Sequence, residues 1–404
     1  MIPVSEAQRI ILESIPALPE EIIDIASSLN RVLSYDIFSD IDIPSCNLSA
    51  MDGYALISSD VKGASEDNPI RLEVLEEIPA GAISKKEIKN GFASKIMTGA
   101  MLPEGADSVI MVEYTEAMGQ SIMIKKETKP YENVIQRGEN IKNGELLLEK
   151  GRIIGSSEIG ILASLGIKNV KAIKQPKIAV LATGNEIVDI DSELLKGKTR
   201  NINTYTLSAQ IQEAGAIPID LGIGRDDKKD ISLKIERGLK SADMLITSGG
   251  VSVGDYDITR NVLEDMGLIV KFHKVAMRPG KPTLFGIIRE KPFFGLPGYP
   301  VSCIVCFEIL VRPAILKMGG RKNLERQIIK AILGEDIRKK TDRRSYLRVS
   351  LKKKDGIFEA RLTGNQGSSV LNSMVKADGL LIAEKDVGFI PCGSRVSVYL
   401  LRNV

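Results

Sequence analysis

A turn that combines glycines with carboxylates is the strongest chemical signal in the chain. Residues 248–257 read SGGVSVGDYD, between the apolar run 244–247 and a stretch, 258–266, whose apolar residues fall on one helical face. This order predicts a strand, a turn and a helix. Glycines allow positive φ and bring the backbone close to a ligand, and backbone N–H groups at such a turn attract phosphate. The residues expected to contact it are Ser248, Gly249, Gly250 and Gly254.

The same turn contains two acidic residues, Asp255 and Asp257. Carboxylates repel phosphate unless a divalent cation lies between them. The turn therefore predicts a phosphate-bearing ligand together with Mg²⁺ or a similar hard cation. The structural alternative is that Asp257 only caps the following helix, and the turn alone leaves both interpretations open.

Acidic residues also follow neighbouring strands of the same region. The apolar run KIAVLAT leads into TGNE with Glu186, and IPIDLGI is followed by Asp226. Strands and helices alternate from Pro176 onward, which predicts a parallel, doubly wound sheet. Ligands of such sheets bind at the carboxyl ends of the strands. Acids from three loops at that edge, those of the glycine-rich turn included, predict a metal site.

Basic residues follow in the segment FHKVAMRPGKPTLFG, which contains Lys274, Arg278 and Lys281. They are either ordinary surface charge or, beside the acidic cluster, an anion-binding group, and we favour the second. The next segment, GLPGYPVS, contains a turn at Gly298 and leads into a predicted helix that includes Ser302. This helix N-terminus is also suited to phosphate.

Polar residues of the N-terminal region have local structural explanations. Asp52 and Gly53 form an Asp-Gly pair, which local sequence predicts as a hairpin turn. Thr98 lies in a loop, where its hydroxyl is expected to bond its own backbone. Arg137 and Asn140 lie in a polar, glycine-containing loop that we expect to be exposed.

The rest of the chain shows simpler patterns. Residues 1–35 have an amphipathic helical pattern, first from Val4 to Ile15 and then from Ile22 to Val32. Residues 70–135 alternate short β-rich runs with turns. The last segment, from Ile328, has an alternating β pattern and contains the loop TGNQGSS.

We therefore expect a multidomain α/β plus β protein with a central doubly wound α/β domain. Its predicted domains are a split helical or linker domain at 1–40 and 142–174, a β-rich inserted domain at 41–141, the α/β domain at 175–320 and a small C-terminal β domain at 321–404.

Composition excludes several function classes. The 404 residues are 43% hydrophobic and 26% charged, with a net charge of +3, so nothing favours nucleic acid or a membrane as partner. No run of apolar residues is long enough to span a bilayer, and the N-terminus does not resemble a signal peptide. The four cysteines suggest no disulfide framework, so we expect a cytoplasmic protein. Cys303 and Cys306 form a C-x-x-C on a predicted helix, Val301 to Leu316, and buried packing competes with a zinc or redox role.

Seven motifs in order resemble the MoeA family, whose members are molybdopterin molybdenumtransferases related to the E domain of gephyrin. The motifs are SAMDGYA (49–55), TGAMLPEGAD (98–107), RGENIKNGE (137–145), TGNE (183–186), SGGVSVGDYD (248–257), VAMRPGKP (275–282) and GLPGYPVS (295–302). The resemblance covers essentially the whole chain.

The resemblance implies a homodimer with an active site between protomers. The reaction implied is hydrolysis of adenylated molybdopterin, insertion of molybdate as co-substrate into the dithiolene, and release of AMP. It also implies Mg²⁺ or a similar cation, held by Glu186, Asp226 and Asp257. The residues that match the family's functional positions are Asp52, Thr98, Glu186, Asp226, Asp257, Lys274, Arg278, Lys281 and Ser368.

Two departures from the family pattern affect the predicted pocket. Tyr299 stands where the family often has Asn, and Arg278 stands where Lys also occurs. Arg keeps the positive charge but donates in a fork rather than from a point.

Two other functions remain open. One is the adenylyltransferase that makes adenylated molybdopterin, which is also a possible partner, and the other is a pterin-binding scaffold. Tungstate is an alternative to molybdate.

Overall fold

The computed structural model describes residues 1–250 and 258–402 of the chain. Two compact units divide it. The first contains residues 1–34, 151–156 and 169–404, and the second contains residues 35–150 and 157–168. The four predicted domains stay a prediction, because the division into two units is coarser.

The first unit is built around a six-stranded central sheet. In spatial order its strands are Ile217–Gly224, Lys177–Thr183, Met244–Ser248, Lys291–Leu296, Leu284–Ile288 and Ile269–Phe272. The first four are parallel, as predicted, but the last two are antiparallel to their neighbours, so the sheet is mixed. The antiparallel pairing of Leu284–Ile288 with Lys291–Leu296 follows from a turn of two residues, Arg289 and Glu290, with φ of 47° and 65°. A connection this short joins only antiparallel strands.

Helices cover both faces of the central sheet, which confirms the doubly wound prediction. Ile178 and Val180 pack on one side with Asn203–Glu213 and Pro300–Cys306. Ala179 and Leu181 pack on the other side with helices Lys228–Ser241 and Ile258–Asp265. The alternation follows from the two-residue period of a strand buried on both faces.

The predicted helix from Val301 to Leu316 consists of three consecutive helical segments. They are Pro300–Cys306, the π-helix Phe307–Val311 and Arg312–Met318. Cys303 and Cys306 are fully buried there, and burial raises the pKa of the Cys306 thiol to about 12. These thiols therefore act as core packing groups.

The N-terminal prediction is half right. Helix Val4–Ser14 forms as expected, but the predicted helix from Ile22 to Val32 is wrong. Glu20–Asp24 is instead a strand that pairs with Asn169–Ile173, and a short 3₁₀ turn follows at Ile25–Ser27. Pairing with a strand about 150 residues away overrides the weak local helical pattern.

A five-stranded barrel forms the C-terminal part of the first unit. Its strands, in order around the barrel, are Arg344–Lys354, Ile357–Leu362, Ile328–Leu333, Arg395–Leu400 and Gly379–Ala383. Pairing of the last with the first closes it. The short strand Met277–Arg278 joins Arg344–Ser345 in parallel. The first unit also contains the helix Asn372–Val375 and the strand pairs Ile187–Val188 with Thr199–Arg200 and Ile337–Arg338 with Phe389–Ile390.

The second unit contains another six-stranded sheet. In spatial order its strands are Ser108–Met111, Gly53–Leu56, Phe92–Ile96, Ile70–Ile78, Ser121–Ile124 and Thr115–Met118. Leu48–Ser49 pairs with Val134–Ile135, and Ile37–Phe38 pairs with Leu146–Leu148. The 3₁₀ turns Ser58–Val61 and Val112–Tyr114 and most of the helix Ser156–Ser164 complete the unit.

The predicted hairpin turn at Asp52 and Gly53 is wrong. Gly53 begins a strand that lies between two antiparallel partners, and the preceding strand, Leu48–Ser49, pairs elsewhere. A Cβ atom at Gly53 would overlap the carbonyl oxygen of Ile110. Glycine is required here because two backbones approach closely, not because a turn is needed.

Among the residues that the structure describes, no helix combines the length and the apolar content needed to cross a membrane.

Gly53→Ala is expected to destabilise the second unit by about 1–3 kcal/mol, because the backbone of Ile110 must move. Gly160→Ala is the matched control. Gly160 lies in a helix with no heavy atom within 4 Å of an added Cβ, so alanine there should be neutral or stabilising by up to about 1 kcal/mol. Urea unfolding measures both variants. Equal stabilities would contradict the close-approach explanation.

Candidate active site

A cavity of about 820 Å³ lies at the carboxyl ends of the parallel strands in the first unit. Residues that follow Lys177–Thr183, Ile217–Gly224, Met244–Ser248 and Lys291–Leu296 form its wall. This is where open α/β sheets bind ligands. The predicted site residues on the wall are Glu186, Asp226, Ser248, Gly249, Gly250 and Gly298.

The first part of the glycine-rich turn is shaped by close backbone contacts. Gly249 and Gly250 have φ of 86° and 60°, a region that favours glycine. A Cβ at Gly249 would come within 2.7 Å of the Thr183 carbonyl oxygen, and one at Gly250 within 2.5 Å of the Thr259 hydroxyl. Neither residue therefore has room for a side chain of its own. The predicted site residues Gly254 and Asp257, and Asp255 beside them, lie outside the described residues.

The two described carboxylates of the cavity come from loops that are hydrogen-bonded to each other. The backbone N–H of Asp226 donates to Asn185 Oδ1 at 3.1 Å, so the loop of Glu186 and the loop of Asp226 are joined. Both side chains are exposed, and neither forms an ion pair in residues 1–250 and 258–402. Asp227, next to Asp226, has a different role because it accepts from Asp230 N at 2.8 Å and caps a helix.

Only two of the three predicted metal ligands are among the described residues. In the described part of the chain, no three His, Cys, Asp or Glu side chains converge closely enough to hold a metal ion. Two of the three predicted ligands, Glu186 and Asp226, lie on the cavity wall. Their exposed carboxylate oxygens fit Mg²⁺, which prefers oxygen ligands.

The predicted cations do not line the cavity, although Pro282 beside Lys281 does. Arg278 forms an ion pair of 3.2 Å with Asp342. Lys274 and Lys281 form no ion pair among the described residues.

Two of the predicted serines, Ser302 and Ser368, lie off the cavity wall, unlike Ser248. Ser302 is buried, with 5% of its surface exposed. The carbonyl of Ser368 accepts from Val301 N at 3.1 Å, and the neighbouring Ser369 reaches the cavity. Arg348 holds this loop, since its Nη2 donates to the Gly367 carbonyl at 3.1 Å, and burial lowers the pKa of Arg348 to about 10.

Further wall residues were missed from the sequence. Arg200 brings a cation to the cavity from a short parallel strand pair. Asn203 donates to the Gly298 carbonyl at 2.8 Å and so fixes the turn that presents Tyr299, which is 63% exposed. In the sequence Arg200 and Asn203 lie in the segment RNIN, before a predicted helix, and no motif there marks them as site residues. Tyr299, where the family often has Asn, thus lies on the wall.

Two predicted residues of the second unit contact each other. Asp52 accepts hydrogen bonds from Thr98 N at 2.7 Å and from Thr98 Oγ1 at 2.8 Å. The expectation that the Thr98 hydroxyl bonds its own backbone is therefore wrong. The backbone bond first, and then the hydroxyl, hold the pKa of Asp52 below its usual range. The pair is solvent-exposed and anionic at neutral pH.

The polar loop of the second unit is also held by a carboxylate. Arg137 Nε donates to Asp42 at 2.7 Å, while two-thirds of the Arg137 side chain stays exposed. Asn140 lies in the same loop, where its N–H donates to the Ile43 carbonyl. The loop is exposed, as predicted.

Comparison with known proteins covers nearly the whole chain. Residues 2–166 match the profile of the MoeA N-terminal region (domain I and II), and residues 330–401 match that of the MoeA C-terminal region (domain IV). Residues 179–317 match a profile described as "Probable molybdopterin binding domain". A molybdopterin molybdenumtransferase of Staphylococcus aureus (strain COL) is 36% identical over 98% of this chain and 92% of its own length. The chain belongs to the MoeA family.

Other MoeA proteins support this assignment. The molybdopterin molybdenumtransferase of Bacillus subtilis (strain 168) is 35% identical over 100% of this chain and 94% of its own. A crystal structure of a molybdopterin biosynthesis MoeA protein from Pyrococcus horikoshii has a TM-score of 0.86, with 36% identity and complete coverage of both chains. A second one has a TM-score of 0.81, with 31% identity over 99% of this chain and 100% of its own.

Thr98→Val is expected to raise the pKa of Asp52 part of the way to its ordinary value, because the hydroxyl donor is lost while the backbone donor remains. Carboxyl-carbon NMR titration measures the change. Thr115→Val is the matched control, since the Thr115 hydroxyl donates to the Val112 carbonyl. An Asp52 pKa that is equal in all three proteins would contradict the role of the hydroxyl.

Proposed function

We propose that this chain is a molybdopterin molybdenumtransferase that hydrolyses adenylated molybdopterin, inserts molybdate or tungstate into the dithiolene and releases AMP. The observation that carries the proposal is the cavity at the strand ends, which combines a glycine turn with two exposed carboxylates in a chain of the MoeA family. Such a cavity suits a ligand that bears phosphate.

The glycine turn is the proposed binding site for the phosphates of the substrate. Gly249 and Gly250 line the cavity and add no side chain of their own, and the preceding Ser248 is 3% exposed. Backbone N–H groups bind phosphate oxygens without the entropy loss of a long side chain. Asn203, by fixing the Gly298 carbonyl, holds the opposite turn and the exposed ring of Tyr299 in place.

Glu186, Asp226 and Asp257 are the proposed ligands of Mg²⁺ or a similar cation, and the first two are among the described residues. Bound there, the cation would offset the negative charge that develops on the phosphates as AMP leaves. The hydrogen bond between the Asp226 N–H and Asn185 keeps the two ligand loops together. Lys274, Arg278 and Lys281 are the proposed partners of the oxyanion.

The active site is proposed to lie between two protomers of a homodimer, with Asp52 and Thr98 contributed by one of them. The hydrogen-bonded pair keeps Asp52 ionised and fixed in direction, as a site carboxylate requires. The adenylyltransferase that supplies the substrate is a proposed contact. All four cysteines are unpaired, which supports the proposed cytoplasmic location.

Asp226→Asn is expected to lower cation-dependent AMP release from adenylated molybdopterin about tenfold or more and to raise the Mg²⁺ concentration required. Asp227→Asn is the matched control, because it removes the same charge one residue away while Asn still caps the helix. It should change the rate no more than about twofold. AMP is measured by chromatography across a Mg²⁺ titration. Equal losses in both variants would contradict a ligand role for Asp226, and ATP consumption with molybdopterin would instead identify an adenylyltransferase.

Co-refolding of Asp52→Ala and Glu186→Ala is expected to restore activity that neither inactive variant has alone. If the two residues belong to opposite protomers of one site, a mixed dimer has one site with both defects and one intact site. Random exchange makes about half the dimers mixed, so about a quarter of wild-type activity should return. Verified mixed dimers that stay inactive would show that the two residues do not meet across protomers.

A further inference from the structure

A single carboxylate, Asp342, is surrounded by basic side chains beside Arg278. Arg278 Nη2 lies 3.2 Å from one oxygen of Asp342, and Arg343 Nε lies 2.8 Å from the other. Partial desolvation opposes ionisation, but the Arg343 hydrogen bond and the Arg278 charge hold the pKa of Asp342 below its usual range. Asp342 is thus an anion held by two guanidinium groups.

Backbone pairing brings Asp342 to this place. Met277–Arg278 pairs in parallel with Arg344–Ser345, and Arg344 N donates to the Ala276 carbonyl at 3.2 Å. Residue 342 lies two positions before the barrel strand, so the pairing holds its backbone near the segment that contains Arg278. The contact between Asp342 and Arg278 can open while the strands stay paired.

Positive charge exceeds negative charge at this cluster. Lys339 belongs to the same loop, and its pKa is lowered by burial first and then by the charge of Arg278. Its ammonium donates to the carbonyls of Lys340 and Glu384, and to no carboxylate among the described residues. Two other carboxylates act on Lys339. Glu384 is bound to Arg344 at 3.0 Å, and Asp386 lies 3.9 Å from Lys385. Asp342 therefore balances only part of the charge of Arg278, Arg343 and Lys339.

We propose that Asp342 occupies an oxyanion position between Arg278 and Arg343, so that a tetrahedral oxyanion binds there only after this carboxylate swings out. The inference rests on the proposed function, in which Arg278 binds molybdate or phosphate. Half of the Asp342 side chain is exposed, so the displaced carboxylate regains water at little cost. The carboxylate oxygens accept from the same N–H donors that a molybdate or phosphate ion would use.

The consequence is a built-in competitor that weakens oxyanion binding. An ion that accepts hydrogen bonds poorly, or that bears little charge, does not displace Asp342, whereas a divalent oxyanion does. Arg278 is also kept paired until the oxyanion arrives. The alternative is that Asp342 positions Arg278 for the oxyanion. Removal of the Asp342 charge tightens oxyanion binding if Asp342 competes and weakens it if Asp342 positions Arg278.

Asp342→Asn is expected to bind oxyanion about two- to fivefold more tightly at low salt, because the competing ion pair is lost. Calorimetric titrations with sodium molybdate, and separately with AMP, distinguish a free oxyanion from a nucleotide phosphate as the ligand. The gain should shrink as ionic strength rises. Thermal unfolding checks that the variant folds.

Glu384→Gln is the matched control, because it removes an equally exposed carboxylate that lies near Lys339 but pairs with Arg344. It should leave the affinity within about twofold of wild type. Weaker binding by Asp342→Asn would overturn the proposal in favour of a positioning role. An equal gain in both variants would overturn it in favour of a general charge effect, and no measurable binding by either protein would also overturn it.

Arg278→Gln separates this inference from the proposed function. If Arg278→Gln weakens oxyanion binding but Asp342→Asn does not tighten it, the competitor role fails and the proposed anion role of Arg278 stands. If Arg278→Gln leaves the affinity unchanged, both the anion role of Arg278 and the competitor fail. AMP release by the wild-type protein tests the transferase activity independently.

Discussion

The close approach of the Ser248–Gly250 turn to the neighbouring strand end at Thr183 is the constraint on which the cavity depends. A side chain at Gly249 or Gly250 would meet the oxygens of Thr183 or Thr259, so the turn would have to move away from the sheet edge. The parallel register sets this approach, because Ala182 pairs with Ser248. The adjacent strand Ile217–Gly224 then brings the loop of Asp226 to the same edge.

The charged residues predicted around this turn are positioned by different secondary-structure elements. The described carboxylates of the cavity come from loops after the parallel strands, and Arg200 comes from the short strand Thr199–Arg200. Lys274, Arg278 and Lys281 lie off the cavity wall, in the segment that leads into the antiparallel hairpin. The segment is bound to the C-terminal barrel through Met277–Arg278. As a result Arg278 is placed by a barrel strand, while Glu186 and Asp226 are placed by the central sheet. The barrel also contributes Ser369 to the cavity wall through a loop that buried Arg348 holds.

In the second unit, too, a glycine allows close backbone approach and thereby places a carboxylate. Gly53 lets its strand lie against the Ile110 carbonyl, and this placement leaves Asp52 at the strand's start, facing the Thr98 loop. A carboxylate that accepts two hydrogen bonds is ionised and fixed without any buried cation.

Local sequence was sufficient where a segment's own pattern decides its structure. It determined the strand KIAVLAT, the helices after it and the start of the glycine turn at Gly249 and Gly250, because periodicity and turn chemistry act within a few residues. It also placed Glu186 and Asp226 at one sheet edge, since parallel strands share a direction. Only the tertiary structure decided that Glu20–Asp24 is a strand, that Gly53 serves close packing, that Arg200, Asn203 and Ser369 line the cavity, and that Asp342 reaches Arg278. Each of these depends on a partner far away in the chain, and a contact of that kind leaves no period or spacing in the local sequence.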